Sequence, residues 1–253
     1  MKSPDDLLDA LKALGIRAAT DALRALLAHL TKSRASPAEC LEQLVALERR
    51  ERDDRNLARR TKMATLGGFQ ALDRFDWNHP RSLDRALYEE LLELAFLEHG
   101  ENILFRGQSG VGKTNLSQNL AQVALLKGHT VRFTTLAAAL ADLSRQESLP
   151  ALERRLRRYT GVDLLVLDEL GYLPCDSRSA DLLFTIVSRR HERRSTVLTT
   201  NLAYKQWGTV FPGAACVAAL VDRFAQHCHV VDIDADSWRH REAADRAARK
   251  PKR

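Results

Sequence analysis

The stretch "GQSGVGKT", residues 107–114, decides the fold. It fits G-x-x-x-x-G-K-[ST] in full. It stands between a short apolar run, "NILFRG" (102–107), and an amphipathic stretch, "TNLSQNLAQVALLKG" (114–128). Strand, glycine-rich loop and helix in that order are the context the pattern needs. The glycines let the loop close around a phosphate with its backbone N–H groups turned inward, and the following helix N-terminus adds a favourable dipole. The candidate cradle is therefore Gly107, Gln108, Ser109, Gly110, Val111, Gly112, Lys113, Thr114 and Asn115. Lys113 is expected to reach the β- and γ-phosphate oxygens, and Thr114 to offer its hydroxyl to Mg²⁺.

Working outward, four more β-rich runs alternate with helical segments: "TVRFTT" (130–135), "DLLVLDE" (163–169), "STVLTTN" (195–201) and "CHVVDID" (228–234). Most are nearly continuous apolar stretches, as expected for strands covered on both faces. The alternation predicts an α/β domain around a central, mainly parallel five-stranded sheet. The third run ends on Asp168 and Glu169, at the carboxyl end of a buried strand, where open α/β sheets bind ligands. Asp168 is the expected Mg²⁺ partner, and Glu169 the residue that orients and deprotonates an attacking water. The fourth run ends "TTN". Of Thr199, Thr200 and Asn201, the amide of Asn201 can donate to phosphate and accept from water at once, so it is the chosen γ-phosphate contact.

Ahead of this domain the pattern is helical. Leu7, Leu8, Leu11 and Leu14 recur at helical spacing, as do Leu23, Leu26, Leu27 and Leu30. "SP" at 36–37 reads as an N-cap followed by proline in the first turn of a long charged helix. "TLGGFQALDRFDWNHP" (65–80) reads as a linker, and "RSLDRALYEELLELAFLEHG" (81–100) as one helix. The expected layout is a small all-helical domain over 1–66, the nucleotide-binding domain over 67–242, and a basic tail over 243–253.

The chain carries 39 Lys and Arg against 33 Asp and Glu, a net charge of +6. That excess is compatible with nucleic acid but does not select it. Cys40, Cys175, Cys216 and Cys228 show no C-x-x-C spacing, which argues against a disulfide framework or zinc ribbon and suits a reducing cytoplasm. No apolar run approaches the roughly 18 residues of a membrane span. Three basic groups are candidates for duplex DNA, through phosphates rather than bases: Arg52, Arg55 and Arg59; Arg154, Arg155, Arg157 and Arg158; and the basic C-terminal tail, "RHREAADRAARKPKR" (239–253). In "VDRFAQHCHVVDID" (221–234), no second Cys/His cluster supplies the ligands a zinc site would need.

Four segments together, "GQSGVGKTNLSQNLA", "LLVLDELGYLP", "RRHERRSTVLTTN" and "LVDRFAQHCHVVDIDADSWRHRE", resemble the IstB-like ATP-binding proteins of bacterial insertion sequences. These belong to the AAA+ ATPases, in the clade of the initiator DnaA and the helicase loader DnaC. The resemblance implies an AAA+ P-loop fold with ATP and Mg²⁺. It implies a homo-oligomer on DNA with ATP sites at its subunit interfaces, and a transposase partner served in target selection and capture. It carries over Lys113 and Thr114 as Walker A, Asp168 and Glu169 as Walker B, and Asn201 as sensor 1. Arg223 falls at the arginine-finger position and Arg239 at sensor 2, with Arg241 an alternative. A DnaC-like helicase loader is the competing reading.

Overall fold

The computed structural model describes residues 4–171, 176–238 and 241. Two compact units emerge, Met1–Arg60 and Thr61–Arg253.

The first unit is helical: α1 (Pro4–Ala13), α2 (Thr20–Ser33) and most of α3 (Pro37–Ala64). The predicted "SP" start of α3 is a capping box. Glu39 N donates to Ser36 Oγ at 3.3 Å, and Ser36 N donates to Glu39 Oε2 at 2.7 Å. Leu8, Ala18 and Leu23 form a small buried core, with Ile16, Leu27, Leu44 and Leu47 packed on it. Glu48 is buried beside the start of α2, where its carboxylate accepts from Arg17 N at 2.8 Å and Ala18 N at 2.7 Å. Arg52 adds a bond at 3.0 Å to the other oxygen. Burial pushes this carboxyl up, but the bonds from Arg17, Arg52 and Ala18 outweigh it and hold the group below its ordinary value.

The second unit is built on a sheet of β1 (Ser82–Leu83), β2 (Asn102–Gly107), β3 (Val131–Thr135), β4 (Leu164–Leu170), β5 (Ser195–Thr200) and β6 (Cys228–Asp234). The spatial order is β1-β6-β2-β5-β4-β3, parallel throughout except for β1. The sheet thus has six strands rather than five, because Ser82 and Leu83 pair antiparallel with Asp234 and Ile233. The single helix expected over 81–100 is likewise divided. After β1, Asp84 accepts from Leu87 N at 2.9 Å and starts α4 (Arg85–Leu92). Leu94, at φ +69°, then turns the chain before the short α5 (Phe96–His99). The remaining helices are α6 (Lys113–Leu126), α7 (Leu136–Ser144), α8 (Leu149–Thr160), α9 (Ser177–Arg190), α10 (Trp207–Val210) and α11 (Val217–Ala225). Caps start three of them: Thr135 for α7, Ser148 for α8 and Asp176 for α9.

Every residue of β5 is buried, and all of β4 except Glu169. Arg190, the last residue of α9, is 1% exposed. Its guanidinium donates to the carbonyls of Tyr159 (2.9 Å), Val162 (2.8 Å), Asp163 (3.1 Å) and Ser195 (2.5 Å), and to Thr196 Oγ1 (3.0 Å). It ties the end of α8 and the entries of β4 and β5 to α9. Burial pulls its pKa down to about 9. Among the described residues, no helix is long and apolar enough to cross a membrane.

Candidate nucleotide site

The P-loop leaves β2 at the carboxyl end of the sheet and turns directly into α6. Gly110 and Gly112 take φ of +81° and +100°, which glycine adopts without steric cost. A Cβ on Gly107 would lie 2.3 Å from the carbonyl oxygen of Ile233, so the first glycine is required by close approach to β6. Lys113 is buried at the first turn of α6. Its ammonium donates to the carbonyls of Gly107 at 2.8 Å and Gln108 at 2.6 Å, lying along the inside of the loop.

Thr114 meets Asp168 across the mouth of the loop. Its hydroxyl lies 3.1 and 3.0 Å from the two carboxylate oxygens. A hydroxyl and a carboxylate together are a hard-oxygen pair suited to Mg²⁺, which characteristically takes one or two protein oxygens and completes its shell with phosphate and water. Asp168 also accepts from the buried hydroxyl of Thr199 on β5. Glu169, the next residue, adopts φ +68°, and the β4–β5 register shifts between Leu167 and Leu170. In a regular strand, consecutive side chains point to opposite faces. The irregularity turns the Glu169 side chain into the cleft beside Lys113 and Thr114, while Asp168 stays on Thr114. Asp168 and Glu169 are therefore brought together with the P-loop.

Asn201 is placed differently from its sequence neighbours. β5 ends at Thr200, Asn201 is exposed in the following turn, and Thr199 is the β5 residue that lines the cleft. Arg223 is on α11, where its guanidinium donates to Ser188 Oγ at 2.5 Å and lies 4.9 Å from the Phe184 ring, both on α9. It does not line its own chain's cleft. Arg239 lies outside the described residues. Arg241 is at the cleft rim, 3.6 Å from Asp76 Oδ2, and donates to His79 Nδ1 at 3.2 Å. His79 Nε2 donates to the Asp236 carbonyl at 2.8 Å.

The predicted linker forms one wall of the cleft, a role its composition did not announce. Gln70, Arg74, Phe75, Asp76 and His79 line it opposite the P-loop, with Trp238 beside them. The carbonyl of Gln70 accepts from Asn115 at 2.8 Å and Asn119 at 2.9 Å, and that of Leu66 accepts from Gln118 at 2.7 Å. "TNLSQN" thus carries three amides that fasten this wall to α6. The return segment is fastened too: Trp238 N donates to the Gly110 carbonyl at 2.9 Å, and the Trp238 ring meets His79 edge-on at 4.9 Å.

The DNA candidates separate by their partners. Arg52 and Arg55 pair with Glu48, and Arg55 also with Glu51, whereas Arg59 is exposed. Arg155 pairs with Asp142 at 3.1 Å, whereas Arg154, Arg157 and Arg158 are exposed on α8. In the 221–234 stretch, His229 pairs with Glu101 at 2.8 Å and Cys228 Sγ faces the hydroxyl of Tyr204 at 3.5 Å, on different sides of β6. No group of three or more His, Cys, Asp or Glu among the described residues could hold a metal ion.

A protein family described as IstB-like ATP binding protein matches residues 9–246. The chain is 38% identical over 202 residues to an ATP-binding protein of insertion sequence IS232 from Bacillus thuringiensis subsp. berliner, covering 79% of this chain and 81% of that one. It is 34% identical over 220 residues to an ATP-binding protein of insertion sequence IS21 from Pseudomonas aeruginosa, covering 87% and 83%. Among solved structures, AMPPCP-bound DnaA from Aquifex aeolicus superposes with a TM-score of 0.55 at 22% identity, over 75% of this chain and 58% of that one. At that identity the likeness speaks for the fold, an AAA+ P-loop architecture.

Proposed function

The chain belongs to the family of IstB-like ATP-binding proteins, and from that premise we propose that it is a Mg²⁺-dependent ATPase. In this reading it oligomerises on duplex DNA and assists a transposase in choosing and capturing target DNA. The observation that carries the reading is the meeting of Lys113, Thr114, Asp168 and Glu169 at one mouth. The backbone N–H groups of 107–113 bind the phosphates. Lys113 exchanges its two carbonyl partners for phosphate oxygens. Thr114 and Asp168 would hold Mg²⁺, which would supply positive charge to offset that of the phosphates. Glu169 orients a water and accepts its proton. Asn201 contacts the γ-phosphate side as sensor 1, and Arg239 or Arg241 serves as sensor 2 from the return segment.

Arg223 acts in the neighbouring subunit's site. Its location on α11, bonded to Ser188 and away from its own cleft, is compatible with this. An arginine set against the transferring phosphoryl group is worth about 10³–10⁵ in rate. The helical N-terminal unit supplies DNA, partner or oligomer contacts. Of the basic groups, Arg154, Arg157 and Arg158 are the better phosphate-contacting set, since Arg52 and Arg55 already spend their charge on Glu48. The helicase-loader reading has less support, because the relatives with the higher identity are insertion-sequence proteins.

The reading is tested by light scattering coupled to size exclusion, with and without duplex DNA and a non-hydrolysable ATP analogue, on the wild type and Glu169→Gln. Assembly that needs both ligands, preserved in Glu169→Gln while turnover falls by about 10² or more, is the expected result. A chain that stays monomeric under every condition removes the assembly; unchanged turnover removes Glu169 from catalysis.

A further inference from the structure

The hydroxyl of Thr199 makes two hydrogen bonds at the site, and the proposed chemistry does not use it. Thr199 is 1% exposed on β5 and abuts the cleft floor. Its hydroxyl proton goes to Asp168 Oδ1, and its oxygen accepts from Glu169 N at 3.0 Å. One side-chain atom therefore holds two consecutive residues of β4, one by its carboxylate and one by its backbone.

The second bond is the informative one. Where the β4–β5 register breaks between Leu167 and Leu170, the Glu169 amide bonds to a side chain instead of to a ladder carbonyl. A buried N–H needs a partner, and here a threonine hydroxyl stands in for the neighbouring strand. The same residue sits at φ +68°, a conformation a non-glycine residue keeps only when its surroundings hold it there. That conformation turns Glu169 toward the cleft.

We infer that Thr199 is the positioning residue for Glu169: its hydroxyl locks the irregular turn of β4 that places the Asp168 carboxylate and the Glu169 side chain on the same cleft. The hydroxyl has one proton, given to Asp168, and lone pairs left to accept from Glu169 N, so one group fixes both residues at once. The inference rests on the ATPase reading for its catalytic consequence, but its structural content stands apart from it.

The test uses the full chain with Thr199→Val, which removes the hydroxyl at nearly constant shape, and Thr199→Ser, which keeps it. Binding of a fluorescent ATP analogue, steady-state turnover and hydrogen exchange at the Glu169 amide are measured for each. Thr199→Val is expected to bind within about threefold of wild type, to lose about tenfold or more in kcat, and to lose amide protection by a similar factor. Thr199→Ser should restore both. Thr199→Ala gives the same contrast if the valine variant does not fold. The inference is overturned if Glu169 exchange is unchanged without the hydroxyl, or if Thr199→Ser is as impaired as Thr199→Val. A wild-type chain without turnover would sink the ATPase reading alone, leaving the exchange measurement to decide the role of Thr199.

Discussion

The two ends of the central sheet treat charge in opposite ways. At the amino end, Arg190 is buried and all its bonds are made, four to backbone carbonyls and one to Thr196. At the carboxyl end, the Glu169 carboxylate is exposed and makes no hydrogen bond or ion pair to the described residues, while its backbone is held in an uncommon conformation. A charge whose bonds are all spent can only hold structure. A charge kept free by a constrained backbone can act on something that is not yet there. Glu48, in the helical unit, follows the Arg190 pattern: its carboxylate is satisfied by two amides and an arginine.

Three substitutions can break or sharpen this contrast. Arg190→Ala leaves several buried carbonyls unpaired, so a loss of about 3–5 kcal/mol is expected in urea unfolding of the full chain; a loss below about 1 kcal/mol would mean water replaces the guanidinium freely. Glu48→Gln weakens charged hydrogen bonds and should cost about 1–2 kcal/mol at neutral pH. Because the Glu48 carboxyl is held below its ordinary 4.5, its contribution is fully present above that value and is lost as pH falls through the depressed one. Acid titration of helicity in the wild type, compared with the glutamine variant, reads this directly: the wild type should lose its advantage only below about pH 4.5. Smallest, and opposite in sign, Glu169→Gly should stabilise the chain by about 1 kcal/mol, since glycine takes φ +68° without strain, while abolishing turnover. A destabilised glycine variant would show that the Glu169 side chain has a structural partner after all.

The parts of the site that sequence reveals are those set by local spacing. The P-loop and the "LLVLDE" strand end are each contiguous, and both appear where expected. The rest depends on what lies across from them. Thr199 and Asn201 would share a face if β5 ran on, but the strand stops at Thr200, so Thr199 lines the cleft while Asn201 is exposed just beyond the strand end. Phe75 and His79 look like linker residues until the amides of Asn115, Gln118 and Asn119 are seen fastening that segment to α6. β1 is two residues long and carries no periodicity to detect; β6 makes it a strand. The arginine pairs in "RRHERR" are indistinguishable in sequence, yet Arg190 is core and Arg189 makes an exposed bridge to Glu153.

Both borders of the sheet are defended. On one side β1 offers only Ser82 and Leu83. On the other, the Phe133 carbonyl of β3 is occupied by the hydroxyl of Thr65 at 2.7 Å. Unpaired strand borders invite other chains to add a strand, the route to runaway fibres. With neither border open for continuous pairing, the proposed assembly of copies would form through side-chain surfaces, where contacts can be made and released one at a time.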